Sequence, residues 1–342
     1  MRPFARQSFE AAIKKSGIAV DTNLAAFADA CQLAQQGGEP SAAVPVAAQG
    51  EIPAHARSPD LEPLLERVRR LPKPAQALAL AGVRRAIDYQ DPPYASLYLD
   101  RLERVAALDG CRGADGSGIG TDAPLTAAVA RSLALWMTFE DTIRVADLKT
   151  RLARFARVRE EIRAEAGQLF GLTEFMKPRV TEIAGTLPAK MGAWVLRSPR
   201  MARWLGRWTG GKQVRTGTIS GFLLLHVLGG MKRWRRGTLR YREENTRIEA
   251  WLARIERLAA AQYDLAVELA RAQRLVKGYG DTHERGWRNF STLMSQLDTL
   301  AARPDGATIL ARLHEAALAD EEGTALAQEL GALPECSPGR AA

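Results

Sequence analysis

The stretch Arg242–Val276, REENTRIEAWLARIERLAAAQYDLAVELARAQRLV, decides the fold class. Ile248, Trp251, Leu252, Ile255, Leu258, Tyr263, Leu265 and Leu269 recur near helical spacing, with charged residues between them. That pattern lines one face of an α-helix and predicts a single long amphipathic helix. Working outward, Ser8–Ala34 repeats it through Phe9, Ala12, Ile13, Leu24 and Phe27, with a break at Ser16-Gly17. Leu61–Leu71 reads as a short helix stopped by Pro72 and Pro74, and Ala75–Ala86 as a second that ends at Asp88–Pro93. Further helices are expected over Tyr94–Ala107, Ala123–Asp147, Arg151–Ala166 and Thr282–Ala302. Phe170–Thr216, rich in Pro, Trp and Gly, reads as short helices and loops. No segment alternates with period two for long enough to demand a sheet. Ala, Leu, Arg and Glu, which lose little side-chain freedom in a helix, dominate the composition. The expected fold is mainly α, a multi-helix domain.

Gln36–Asp60, with small residues and several prolines, reads as a linker. It separates residues 1–35 from a helical domain over 61–335, and residues 336–342 are expected to be a disordered tail. The cysteines, Cys31, Cys111 and Cys336, are distant and odd in number, which argues against a disulfide framework or a cysteine-built metal site. His55, His226, His283 and His314 stand in separate contexts, so no metal site is expected. There is no Gly-x-Ser-x-Gly elbow. The Gly113–Gly120 loop lacks the preceding strand and the Gly-Lys-Ser/Thr of a phosphate loop, and reads as a connector. No apolar leader opens the chain. Ile219–Met231, its most apolar stretch, is far shorter than the ~20 residues of a membrane span. A cytoplasmic protein is expected.

The net charge of +9 is concentrated. Residues 197–242 hold twelve Lys/Arg and no Asp or Glu, so the rest of the chain is mildly acidic. Here Trp204, Trp208, Trp234 and Tyr241 interleave with Arg200, Arg203, Arg207, Arg215, Arg233, Arg235 and Arg236. Three readings fit: an interface with an acidic partner subunit, a nucleic-acid surface, or an anionic-membrane surface. Two other strings are dense in polar residues. In Leu275–Gly286, Gly278 suits a left-handed C-cap and Asp281 or Thr282 an N-cap. Yet Lys277, Tyr279, Asp281, His283, Glu284 and Arg285 are more than a helix corner requires. In Trp136–Thr150, Asp141, Arg144 and Asp147 share a helix face, as an ion-pair ladder or as a ligand site. If the two strings met in one pocket, Asp281, His283, Asp141 and Arg144 would give a self-contained enzyme.

Four strings resemble a known family: IDYQDPPYASLY (87–98), WMTFEDTIRVADLKT (136–150), TEFMKP (173–178) and LVKGYGDTHERG (275–286). They look like the C-terminal helical region of the indolepyruvate oxidoreductase beta-subunit family, within the 2-oxoacid:ferredoxin oxidoreductases. The resemblance runs in order from about Leu61 to about Leu300. PFARQSFEAAIKKSGIAVDTNLAAF (3–27) is similar to the last helices of that superfamily's gamma-type domain. The resemblance implies an accessory part of a complex that decarboxylates aryl 2-oxoacids to acyl-CoA and passes electrons to ferredoxin. The thiamine diphosphate and the iron–sulfur clusters are implied in a large partner subunit, and no catalytic residue carries over to this chain. Residues 1–35 would then be the tail of a truncated Rossmann-like domain.

Overall fold

The computed structural model describes residues 6–16, 20–35, 52–113, 122–163, 168, 171–176, 178–207, 209–210, 212–278, 280–320 and 322–333. The chain divides after Glu51 into two units. The first contains α1 (Arg6–Ser16) and α2 (Val20–Gln35), with the rings of Phe9 and Phe27 5.8 Å apart.

The second unit is mainly α, as expected. It opens with α3 (Glu62–Arg70), α4 (Lys73–Tyr89) and α5 (Pro92–Gly113). Prolines start these helices more than they stop them. Pro63, Pro74 and the Pro92-Pro93 pair lie at helix N-termini, where a missing N–H and a fixed φ cost nothing. Residues 52–58, read as linker, are tied to α3 instead. Arg69 donates to the carbonyls of Pro53 and Ala54, and the Ala56 amide donates to Glu62. The Gly113–Gly120 connector lies almost wholly outside the described residues, as does the tail at 336–342.

Next come α6 (Pro124–Met137), α7 (Thr142–Thr150) and α8 (Leu152–Glu161), so the apolar run 123–147 is two helices. The break is local chemistry: Asp141 is the N-cap of α7 and accepts from the Arg144 amide at 2.7 Å. A two-stranded antiparallel sheet, unforeseen, pairs β1 (Thr173–Met176) with β2 (Lys212–Arg215), Thr173 opposite Arg215. Between the strands lie α9 (Val180–Thr186), α10 (Ala189–Arg197) and α11 (Pro199–Gly206). After β2 come α12 (Ile219–Gly230) and a 3-10 stretch, Met231–Gly237.

The long helix expected over 242–276 is also divided, into α13 (Leu239–Ala261) and α14 (Tyr263–Ala272). Gln262 leaves helical geometry (φ −144°, ψ 83°), and its side-chain amide donates to the carbonyls of Ala301 and Arg303. The apolar stripe survives this bend. Ile248, Trp251, Leu252, Ile255, Leu258, Leu265 and Leu269 are all in the main core. They meet Val83, Tyr98, Leu102 and Leu133 from α4–α6, together with residues of α15 (Gly280–Ala301) and α16 (Gly306–Ala319). The last described helix is α17 (Thr324–Gly331). Buried polar groups join the layers. Asp109 accepts from the Thr126 amide at 2.9 Å and from the Tyr263 hydroxyl, and Ser132 donates to the Ala270 carbonyl at 2.8 Å.

A smaller apolar cluster, Ala146, Val214 and Leu225, fastens α7, α12 and the small sheet together. The approach is close at Gly229, where a Cβ would lie 3.1 Å from the backbone of Asp147.

Candidate functional site

All four strings that carry the family resemblance meet on one side of the helical unit. From the first, Tyr94 donates to the Met137 carbonyl at 2.8 Å, and Asp88 pairs with Arg144 of the second and with Arg151 just after it. From the third, Glu174 pairs with Lys149 and Arg154. From the fourth, the His283 ring lies 4.9 Å from the ring of Phe139. The convergence that the sequence left open between 136–150 and 275–286 therefore occurs.

Three of the strings, 136–150, 173–178 and 275–286, contribute to the walls of a cleft of about 1050 Å³. One wall is α7 and α8, with Val145, Leu148, Lys149, Arg151, Arg154 and Arg157. Met176, Pro178, Arg179 and Thr181 form another, and Thr238 and Arg240 a third, while Asp281, Thr282, His283 and Arg285 complete the rim. Seven cations face four carboxylates across this lining, Glu140, Asp141, Glu182 and Asp281. Further carboxylates hold the cations from behind. Burial pushes the Glu174 carboxyl up, but the hydrogen bonds and charges of Lys149 and Arg154 outweigh it and hold the pKa below the usual range. Arg179 reaches Asp281 and, at 2.5 Å, Glu284. The Arg240 guanidinium stacks 4.7 Å over Phe139. Its Nε approaches Glu244 to 2.9 Å without hydrogen-bond alignment, and its Nη2 is buried with no partner.

His283 is neutral at physiological pH. Burial first, and the charge of Arg240 next, lower its pKa to about 4, and its Nδ1 is buried without a hydrogen-bond partner. Asp141 is engaged as well. It accepts from Arg235 Nε at 2.7 Å and Nη2 at 3.1 Å, besides capping α7. Asp141 and Asp281 thus serve as counter-ions, to Arg235 and Arg179.

The proposed site residues divide accordingly. Asp141, Asp281, His283 and Arg285 line the cleft, with Glu284 behind Arg179. Arg144 points away, to Asp88 and, at 3.2 Å, Asp147, so the ion-pair ladder accounts for it. Lys277 is exposed and lines a separate small hollow, and Tyr279 lies outside the described residues. Asp281 sits inside the first turn of α15 rather than capping it. Sequence reading missed Arg154, Arg157, Arg179 and Arg240 as cleft residues. Only the position of Arg179, just past the third family-like string, hinted at its place.

The cationic segment needs one correction. Arg235 is not a surface residue: it is 2% exposed, lies 4.1 Å over the Tyr89 ring, and donates to the Tyr89 carbonyl at 2.8 Å. Arg203, Arg207, Arg215, Arg233, Trp234 and Arg236 are exposed. The same segment of sequence holds a feature that charge counting hid. On α12, Ile219, Leu223, Leu224 and Val227 are 89%, 55%, 59% and 61% exposed, while Leu225 is buried against α7. Trp194, Trp204 and Trp234 are exposed nearby in sequence. A helix apolar on every side belongs in an interior, and a bare apolar patch marks an interaction surface. No helix among the described residues is long and apolar enough to cross a membrane.

No curated protein and no solved structure matches the chain. Residues 75–296, which include all four strings, the cleft and α12, match a family of unknown function, DUF6537, and the chain belongs to that family.

Proposed function

We propose that this chain is an accessory, assembly or regulatory, part of an indolepyruvate-type 2-oxoacid oxidoreductase, working in the cytoplasm. The reaction would be oxidative decarboxylation of aryl 2-oxoacids to acyl-CoA with electron transfer to ferredoxin. Thiamine diphosphate and iron–sulfur clusters would reside in a large partner subunit, and this chain would dock on it. The observation that carries the docking is the bare apolar side of α12, flanked in sequence by the exposed Arg215, Arg233 and Arg236. An acidic-rimmed apolar patch on the partner would cover it, with aliphatic residues in the centre and guanidinium groups at the edge. The oxidoreductase identity rests on the four strings, and their meeting on one side of the unit supports reading them together.

The second reading, a nucleic-acid surface, draws on Arg233 stacked 5.4 Å from Trp234. Aliphatic Ile219, Leu223, Leu224 and Val227 offer bases nothing to stack on, which favours protein. Affinity capture of the tagged chain from its host tests both readings. A thiamine- and cluster-binding chain should co-elute and persist in moderate salt. Nucleic acid lost steeply with salt, and no such chain, would refute the proposal.

A further inference from the structure

The cleft carries an inference independent of docking. Its volume of about 1050 Å³ is at the upper end of small-molecule sites, roughly 300–1,000 Å³, and far exceeds what a single inorganic anion fills. Its lining favours negative charge in two ways. Lys149, Arg151, Arg154 and Arg179 are held by carboxylates behind the wall, but Arg157 has only a loose approach to Glu161 at 3.6 Å and Arg240 an unaligned one to Glu244, so these two remain open to a ligand. In addition, α7, α13 and α15 all place first-turn or capping residues there: Thr142, Thr238 and Asp281. Helix N-termini carry partial positive charge; Asp141 and Asp281 already sit on those of α7 and α15, which leaves the α13 end, capped by the neutral Thr238, open to an anion. Two buried polar atoms, Arg240 Nη2 and His283 Nδ1, have no hydrogen-bond partner among the described residues, and both residues line the cleft. Val145, Leu148 and Met176 supply an uncharged strip beside the cations.

We propose that this cleft binds a nucleoside di- or triphosphate. The phosphates lie against Arg154, Arg157 and Arg240, and the nucleoside lies along the apolar strip. A lone carboxylate would use one guanidinium and leave the others to water. Two or three linked phosphates match cations spaced over two walls, and the nucleoside fills the remaining volume.

Isothermal titration of the full chain with ADP, at fixed ionic strength, tests this. ADP should bind, pyrophosphate should compete with it, and benzoate should bind at least tenfold more weakly. Arg157→Gln is the clean variant, because Arg157 is exposed and its one ion pair among the described residues, 3.6 Å to Glu161, is loose. It should weaken ADP about tenfold, as expected for one charge-assisted hydrogen bond. Arg240→Gln should weaken it at least as much. Arg257→Gln, whose partner is the exposed Asp298 outside the cleft, should leave it unchanged. Absence of ADP binding at millimolar concentration would overturn the proposal. So would benzoate binding as tightly as ADP, or Arg157→Gln binding like wild type. Should Arg240→Gln fail to fold, the Arg157 variant and the pyrophosphate competition decide alone.

Discussion

Replacing Arg235 with Met tests the view that this arginine is internal scaffold rather than part of a basic surface. The side chain is 2% exposed and makes four directed bonds: two to Asp141, one to the Tyr89 carbonyl and one to Gln90 Oε1 at 2.8 Å. Met fills similar volume but leaves Asp141, only 12% exposed, without its counter-ion. Removing one member of a buried pair costs about 3–5 kcal/mol, mostly from the stranded charge. For a domain of this size each kcal/mol moves the melting temperature by about 2–4 °C, so Arg235→Met should melt roughly 6–20 °C lower by circular dichroism. The neighbour Arg236 supplies the control. Its pair with Asp91 is partly exposed, so Arg236→Met should cost no more than about 1 kcal/mol. The double variant Arg235→Met/Asp141→Asn should be less damaged than the two single changes added together, because neither charge is then buried alone. If Arg235→Met melts like Arg236→Met, the internal role is wrong.

Three further outcomes follow from the same geometry. Gly229→Val would press a side chain onto the backbone of Asp147 and push α12 off α7, which should cost about 1–3 kcal/mol in chemical denaturation. Lowering the pH from about 6.5 to about 4 should destabilise the fold through His283, because the unfolded imidazole takes up a proton there while the folded one resists. The loss from this group reaches about 3 kcal/mol. His283→Gln should flatten that part of the stability-versus-pH curve, and an unchanged slope would contradict a neutral, buried imidazole. Leu224→Asp, at a 59% exposed position on α12, should leave the melting temperature within about 2 °C of wild type, since exposed sites tolerate substitution, yet abolish partner capture.

Helicity was legible because it depends on local composition and on periods of three and four, and the stripe from Ile248 to Leu269 is in the core as read. Breaks inside that pattern were not legible. Gln262 leaves the helix because carbonyls at Ala301 and Arg303 draw its amide, and a window of neighbours holds no trace of them. Prolines misled for a related reason: Pro74 and Pro92 look like stops, but at a first turn they are starts. The cleft illustrates the same limit at longer range. Asp141 and His283 were singled out, yet what each does depends on Arg235, 94 positions beyond Asp141, and on Arg240. Arg235 was counted as surface because charge sums over 197–242 cannot tell a guanidinium under Tyr89 from one in water. The bare side of α12 was missed for the converse reason. Ile219–Met231 reads only as an apolar stretch too short for a membrane, and no window of sequence tells that the fold covers Leu225 but not Leu224.

The accessory role is tested most directly by what the full chain brings with it. Tagged chain would be captured anaerobically from its host, with thiamine diphosphate and iron measured in the eluate for wild type and Leu224→Asp. A docked oxidoreductase subunit predicts both cofactors, with a co-eluting large chain, in the wild-type eluate and neither in the variant's. Wild type eluting without them, or cofactors retained equally by Leu224→Asp, would contradict docking through α12 on such a subunit.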